Sequence, residues 1–77
     1  MKIEVLGSGC PKCNQLYENV QETLRAIGKD AEVVKVEDIR KITEYGIMMT
    51  PGLVVDGEVK SVGKVLSSEE IKMIISG

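Results

Sequence analysis

Apolar and polar residues alternate along the first segment of the chain, residues 2–6. Alternation with a period of two is typical of a β-strand, and here it places Ile3 and Val5 on the same face. Beyond residue 10 the apolar residues recur at intervals of three and four, at Cys13, Leu16, Val20, Leu24 and Ile27. This spacing predicts an amphipathic helix over residues 11–27, which Gly28 is positioned to end.

The middle of the chain predicts a second strand and a short helix. Residues 31–36 are rich in valine, and a strand reached from the first through a helix runs parallel to it. Asp38 can cap a short helix that Gly46 ends. Residues 47–51 then form an irregular connection, because their apolar residues follow neither the spacing of a helix nor that of a strand.

The last third of the chain predicts a hairpin and a helix. Residues 52–55 and 59–62 are strand-like, and the Asp56-Gly57 dipeptide between them is typical of a tight antiparallel turn. Ser67 and Glu70 have the spacing of a capping box, so the chain ends in a helix. The order βαβ-α-ββα predicts a single α/β domain over residues 1–77, with a four-stranded mixed sheet flanked by helices.

The composition excludes several classes of function. The 77 residues carry a net charge of −2, and their charges of both signs are interleaved. A basic face for nucleic acid is therefore not expected. No segment approaches the roughly 20 apolar residues that span a bilayer, and nothing resembles a signal peptide. We expect a cytoplasmic monomer that binds neither nucleic acid nor membrane.

The two cysteines, Cys10 and Cys13, lie where the first strand passes into the first helix. Pro11 suits the first helical position, which puts Cys10 at the N-cap and Cys13 one turn further on. Residues three apart on a helix have Cβ atoms about 5–6 Å apart, close enough for a disulfide after a slight adjustment. The helix terminus and Lys12 favour a thiolate at Cys10 and lower its pKa from about 8.5 to roughly 3.5–7.5. The pattern predicts a reversible dithiol that needs no other cofactor.

Metal binding is the alternative use of the same pair. A zinc site takes four ligands, and a chain with two cysteines and no histidine could complete one only by sharing it in a dimer. A soft-metal carrier for copper(I), or a redox-sensing interaction module, stays open. Heavy-metal-associated domains have a methionine where this chain has Ser8, and they end in a strand rather than a helix. We therefore predict no metal ligands.

Thr50 and Pro51 follow the cysteine pair by about 40 residues and precede the hairpin and the final helix. Together with the Cys-Pro-Lys-Cys turn, this order of motifs and elements resembles that of the thioredoxin and glutaredoxin superfamily. More narrowly, the chain resembles the small single-domain redox-active disulfide proteins of archaea and bacteria. The resemblance covers residues 3–76. It implies a thioredoxin-like fold and thiol–disulfide exchange with disulfide-containing proteins. An external reductase, either a flavoprotein or ferredoxin-linked, would regenerate the dithiol.

The resemblance also implies roles for individual residues. Cys10 matches the attacking cysteine and Cys13 the resolving one. Pro51 matches a cis-proline beside the disulfide, and Thr50 matches the residue whose backbone pairs with a bound peptide. Met49, next to Thr50, is either filler or part of a soft surface for a partner.

Three features concern the surroundings of the pair. Glu4 lies six residues before Cys10, the spacing at which thioredoxins bury an aspartate, and could accept the proton of Cys13. No tryptophan precedes Cys10, and the intervening Pro-Lys is closer to glutaredoxins. Residues 62–65, Val-Gly-Lys-Val, lack the Gly-Gly and aspartate with which glutaredoxins hold glutathione. The resemblance therefore gives no basis for expecting glutathione dependence.

Overall fold

Four strands and three helices make up the computed structural model, which describes residues 1–7 and 9–76. Ser8, which bears on the comparison with heavy-metal-associated domains, and Gly77, the last residue of the predicted domain, lie outside the described residues. The elements are β1 (Lys2–Leu6), α1 (Pro11–Ile27), β2 (Glu32–Val36), α2 (Ile39–Glu44), β3 (Gly52–Val55), β4 (Glu58–Val62) and α3 (Ser68–Ser76). Their order and the four-stranded mixed sheet flanked by helices confirm the predicted fold class.

The strand order in the sheet is β2-β1-β3-β4. Strand β1 is parallel to β2 and antiparallel to β3, and β3 is antiparallel to β4. The β3–β4 turn uses Asp56 and Gly57, both with positive φ, at 50° and 85°. Positive φ at both central residues is what a two-residue hairpin turn of this type requires. No helix among the residues described is long and apolar enough to cross a membrane.

Two apolar cores lie on the two faces of the sheet. Helices α1 and α3 cover one core, formed by Ile3, Val5, Leu16, Val20, Leu24, Leu53, Val55, Leu66, Ile71 and Ile75. Helix α2 covers the other, formed by Leu6, Val36, Ile42, Ile47 and Val54. Strand β3 is buried on both faces, which explains why its sequence is a continuous apolar run rather than an alternation.

The helix ends follow the residues that predicted them. Gly28 adopts a left-handed conformation at the end of α1, with φ of 66°. The Asp38 side chain accepts the N–H of Arg40 at 2.9 Å at the start of α2. Before α3, the Ser67 N–H donates to Glu70 and the Glu70 N–H to Ser67, each at 3.2 Å. These caps satisfy backbone groups that have no partner within their helix.

Candidate active site

Cys10 and Cys13 form a disulfide, with their Cα atoms 5.1 Å apart. Cys10 is the N-cap of α1, in an extended conformation with φ of −77° and ψ of 158°, and Pro11 begins the helix. The Cys13 N–H donates to Sγ of Cys10 at 3.2 Å. A backbone donor at a helix N-terminus therefore points at this sulfur, an arrangement that stabilises negative charge there.

The two cysteines differ in exposure. Cys13 is only 4% exposed, because it lies on the inward stripe of α1 one turn before Leu16. Cys10 is partly exposed, and Pro11 and Lys12 beside it are exposed. A molecule approaching from solvent therefore meets Cys10 first.

Gly7, directly after β1, makes room for Cys13. A Cβ built on Gly7 would overlap the sulfur of Cys13 and lie 2.9 Å from its Cβ. The Gly7 N–H donates to the carbonyl of Val36 at 2.9 Å, so its backbone is fixed at the edge of the parallel strand pair. The sequence indicates a turn at Gly7, but its contact with Cys13 depends on how α1 packs.

Thr50 lies close to the cysteine pair, and Pro51 follows it in the chain. The Cβ position of Gly7 that overlaps Cys13 is 3.7 Å from the Cβ of Thr50. The peptide bond between Thr50 and Pro51 is cis, the conformation that the resemblance implies. Pro51 is buried and Thr50 is exposed. The structure thus brings together two segments that are about 40 residues apart in the chain.

A third segment, at Gly63, completes this end of the sheet. The Gly63 N–H donates to the carbonyl of Pro51 at 2.7 Å. A Cβ on Gly63 would be 3.2 Å from the Cβ of Met49, whose side chain is 63% exposed. The sequence around Gly63 indicates only that a glutathione-binding motif is missing there. Its position beside Pro51 follows from the β3–β4 hairpin, which returns the chain to this end of the sheet.

Glu4 lies on the sheet face covered by α2, whereas Ile3 and Val5 face α1. Its carboxylate accepts a hydrogen bond from the hydroxyl of Tyr45 and lies 4.0 Å from Nζ of Lys2. The hydrogen bond to Glu4 raises the pKa of Tyr45 above its ordinary value of 10.0, and burial and the carboxylate charge add to the effect. Glu4 therefore binds Tyr45, and its role as a proton acceptor for Cys13 stays a prediction.

The sheet, its helices and a Cys-x-x-Cys disulfide at the start of the first helix define the thioredoxin-like class of dithiol proteins. A family model described as "Thioredoxin domain" matches residues 1–76. A thioredoxin of Methanothermobacter thermautotrophicus is 46% identical over 76 residues, which cover 99% of each chain. A thioredoxin of Methanocaldococcus jannaschii is 49% identical over 70 residues, which cover 91% of this chain and 80% of that protein. The chain belongs to the thioredoxin family.

Family membership together with the Cys10–Cys13 disulfide makes this chain a thiol–disulfide oxidoreductase. Membership in this family implies that the substrates are proteins with disulfides and that some reductase is a partner. The soft-metal carrier and the redox-sensing module are not favoured, because the relatives at 46% and 49% identity are thioredoxins. Within the described part of the chain, no group of three or more His, Cys, Asp or Glu residues is placed to hold a metal ion.

Proposed function

We propose that Cys10 is the attacking cysteine and Cys13 the resolving one in the reduction of protein disulfides. The observation that carries this assignment is the difference in exposure between the two residues. Cys10 is partly exposed at the helix N-cap, and Cys13 is 4% exposed beneath it. A thiolate must reach a substrate sulfur in order to attack it, and only the outer cysteine meets that condition.

The reaction proceeds in two exchanges. The Cys10 thiolate attacks one sulfur of the substrate disulfide, forms a mixed disulfide and releases the other substrate sulfur as a thiolate. The Cys13 thiolate then attacks Sγ of Cys10 and releases the second substrate thiol. Two electrons pass from the protein dithiol to the substrate, and the Cys10–Cys13 disulfide forms. An external reductase, a flavoprotein or a ferredoxin-linked enzyme, returns it to the dithiol.

Pro11 and Lys12 support the attacking thiolate. Pro11 begins α1 directly after Cys10, so the helix starts where its free N–H groups face the sulfur. The Cys13 N–H already lies 3.2 Å from that sulfur in the disulfide form. The exposed ammonium of Lys12 adds a positive charge nearby, and we expect the pKa of the reduced Cys10 thiol to lie below that of Cys13.

Thr50, Pro51 and Met49 bind the substrate. Thr50 is exposed and lies next to the cysteine pair, so its backbone groups are available to an extended peptide. Pro51 beneath it is buried, and its carbonyl is held by Gly63. Met49 contributes a flexible apolar surface at the same edge.

The remaining assignments concern the protein as a whole. The family match over residues 1–76 supports a single domain. We propose that it works as a monomer and that the Cys10–Cys13 disulfide is its redox group. A lone cysteine pair used for catalysis suits the reducing cytoplasm, which is where we place the protein.

Single replacements of the cysteines by serine test the assignment of roles. Reduced Cys13→Ser protein, mixed with a protein disulfide near neutral pH, should accumulate a mixed disulfide because no second thiol can release it. Cys10→Ser protein should trap at least tenfold less, since its remaining thiol is buried. Intact-mass measurement of the covalent adducts gives both yields.

The serine variants have matched size and leave α1 in place, and circular dichroism checks that both are folded. Preferential trapping by the Cys10→Ser protein would reverse the assignment. Equal trapping by both would show that exposure does not select the attacking residue.

A further inference from the structure

Strand β2 lies at one edge of the sheet and carries unpaired backbone groups. The Glu32 N–H donates to the carbonyl directly before β1 at 3.0 Å, and the Val36 carbonyl accepts the N–H directly after β1 at 2.9 Å. Hydrogen bonds alternate in direction along a strand, so Glu32, Val34 and Val36 all bond to β1. The N–H and C=O groups of Val33 and Lys35 therefore point away from the sheet. No strand among the described residues lies on that side.

The two edges of the sheet differ in regularity. Strand β2 keeps one register with β1 over all five of its residues. At the other edge, the pairing of β4 with β3 shifts between Leu53 and Val54, which leaves Lys60 as an extra residue. A bulge of this kind keeps an edge strand from pairing with another chain. The β2 edge has no bulge, so an added strand can pair along its full length.

The side of this edge that faces α1 is basic. A groove of about 510 Å³ lies between α1 and the start of β2, and its charged lining residues are Arg25, Lys29 and Asp30. Further along the edge, the Lys35 ammonium lies over the ring of Tyr17, 4.6 Å from its centroid. None of these three cations forms an ion pair with another described residue. A carboxylate brought to the α1 side therefore meets a positive surface.

The side of the edge that faces α2 is acidic. Glu32 is exposed and lies on that side with Val34 and Val36, since successive strand residues alternate. Ionisable side chains line a smaller groove there, of about 220 Å³. They are Glu4, Glu37, Asp38, Lys2 and Lys41, together with Lys35, whose ammonium lies on the other side. With Glu32, the α2 side has four carboxylates and two ammonium groups.

The charges on the two sides decide what can pair with β2. A symmetric antiparallel pair of β2 strands from two copies of this chain would join each side to the same side of its partner. Cations would then meet cations, and carboxylates would meet carboxylates. Like charges that lie opposite each other destabilise a strand pair. A segment of a different protein is free of this symmetry and can match both sides.

We propose that the β2 edge is a strand-addition site for a partner protein. The partner supplies an extended segment that pairs antiparallel to β2, the more stable of the two directions. Its acidic side chains lie on the α1 side and its basic side chains on the α2 side. Backbone hydrogen bonds to Val33 and Lys35 hold the segment, and the alternating charges select it. The edge ends at the Gly7 N–H, beside Cys13, so the bound partner lies next to the disulfide.

Two peptides of identical composition test the charge pattern. The first, acetyl-Thr-Lys-Glu-Val-Glu-Lys-Thr-amide, places its glutamates opposite Val33 and Lys35 and its lysines on the α2 side. The second, acetyl-Thr-Lys-Lys-Val-Glu-Glu-Thr-amide, has the same net charge but mixes the signs on each side. Titration of the isotope-labelled protein in its disulfide form, followed by NMR, gives both dissociation constants.

The alternating peptide should bind about fivefold more tightly than the mixed one, because each matched pair across two strands adds a modest stabilisation. The preference should shrink as the salt concentration rises, because the paired charges are exposed. The alternating peptide should also slow the exchange of the Val33 and Lys35 N–H groups with solvent. The N–H groups on the outer side of β4 are the control and should keep their exchange rates.

Methylation of single peptide nitrogens tests strand pairing without altering the protein. In the antiparallel arrangement, the two glutamates exchange hydrogen bonds with Val33 and Lys35, and the N–H of the central valine points away. N-methylation of either glutamate should therefore weaken binding by about fivefold or more. N-methylation of the valine is the matched control and should leave binding unchanged.

Val33→Pro removes one outward N–H from the protein itself, a change that an edge strand tolerates. It should weaken binding of the alternating peptide, whereas Val33→Ala, which keeps the N–H, should not. Circular dichroism checks that both variants are folded, and the methylated peptides decide alone if the proline variant is not.

Equal binding of the alternating and mixed peptides would overturn the proposal, and so would binding that N-methylation of the glutamates leaves unchanged. A loss confined to the N-methylvaline peptide would overturn the antiparallel arrangement. If the protein alone forms dimers in sedimentation measurements and Val33→Pro abolishes them, a second copy occupies the edge and the proposed partner is wrong.

Discussion

At the scale of single residues, the geometry of the active site depends on a glycine at position 7. Gly7 has no Cβ, and the sulfur of Cys13 occupies the space where one would stand. This contact sets how closely α1 approaches the end of β1. It therefore also sets where Cys13 lies relative to Cys10.

Replacing Gly7 by alanine should disturb the resolving cysteine. The added methyl group would collide with Cys13 in a site closed by the sheet and α1, and overpacking of this kind costs about 1–3 kcal/mol. We expect a lower free energy of unfolding and slower closure of the Cys10–Cys13 disulfide. Urea unfolding and rapid-mixing measurement of peptide release give the two quantities.

Gly28→Ala is the control for a change from glycine to alanine as such. Gly28 lies at the opposite end of α1, with φ of 66° and no heavy atom within 4 Å of its Cβ position. Alanine there should cost about 1–2 kcal/mol through backbone strain but leave the rate of disulfide closure unchanged. If both substitutions slowed closure equally, the effect would reflect lost stability and not the contact with Cys13.

At the scale of elements, α2 is short and is held to the sheet by a few contacts. It has six residues, of which Ile42 is buried. The hydroxyl of Tyr45, directly after the helix, donates to the carboxylate of Glu4 on β1. A helix of this length is not stable alone, so these contacts keep it in position.

The Tyr45–Glu4 hydrogen bond should make stability depend on pH in the alkaline range. It raises the pKa of Tyr45 in the folded protein above 10.0, so folding favours the neutral phenol. This contribution to stability is fully present below the unfolded pKa of about 10 and is lost as pH rises through the folded pKa. Urea unfolding at about pH 8 and at successive values above pH 10 should record the loss.

The Tyr45→Phe variant separates the effect of the Tyr45 phenol on stability from the effects of other groups that titrate above pH 10. The variant should be less stable near neutral pH, and its stability should decline less steeply on the alkaline side. Parallel pH profiles for the two proteins would mean that ionisation of Tyr45 is not coupled to folding.

At the scale of the whole molecule, a small domain depends on nearly every buried side chain. The two cores share one sheet, and α3 contributes Ile71 and Ile75 to the larger of them. Domains of this kind are stable by only about 5–15 kcal/mol. The loss of one large side chain is therefore a considerable fraction of the total.

Ile71→Ala and Met73→Ala should have very different effects, although the two residues lie on the same helix. Ile71 is 0% exposed, and its truncation should cost about 2–5 kcal/mol. Met73 is 76% exposed, and its truncation should change stability by no more than about 0.5 kcal/mol. Urea midpoints measure both, and similar midpoints would show that α3 is not part of the cooperative core.

The sequence by itself determined the elements and the location of the cysteine pair. Periodicity, caps and turn residues act over a few neighbouring positions, so Gly28, Asp38, Asp56-Gly57 and the Ser67–Glu70 box all function where the pattern predicts. Only the element bounds shift slightly. Strand β2 begins at Glu32 and β4 at Glu58, each one residue from its predicted start.

The tertiary structure decided which distant residues meet. Strand alternation and the packing of α2 put the carboxylate of Glu4 within hydrogen-bonding distance of the Tyr45 hydroxyl, 41 residues away in the chain. Gly7 meets Cys13, and Gly63 meets Pro51, only because the sheet order brings the ends of β1, β3 and β4 together. Such contacts join residues far apart in the chain, and no local pattern encodes which face or which end will carry them.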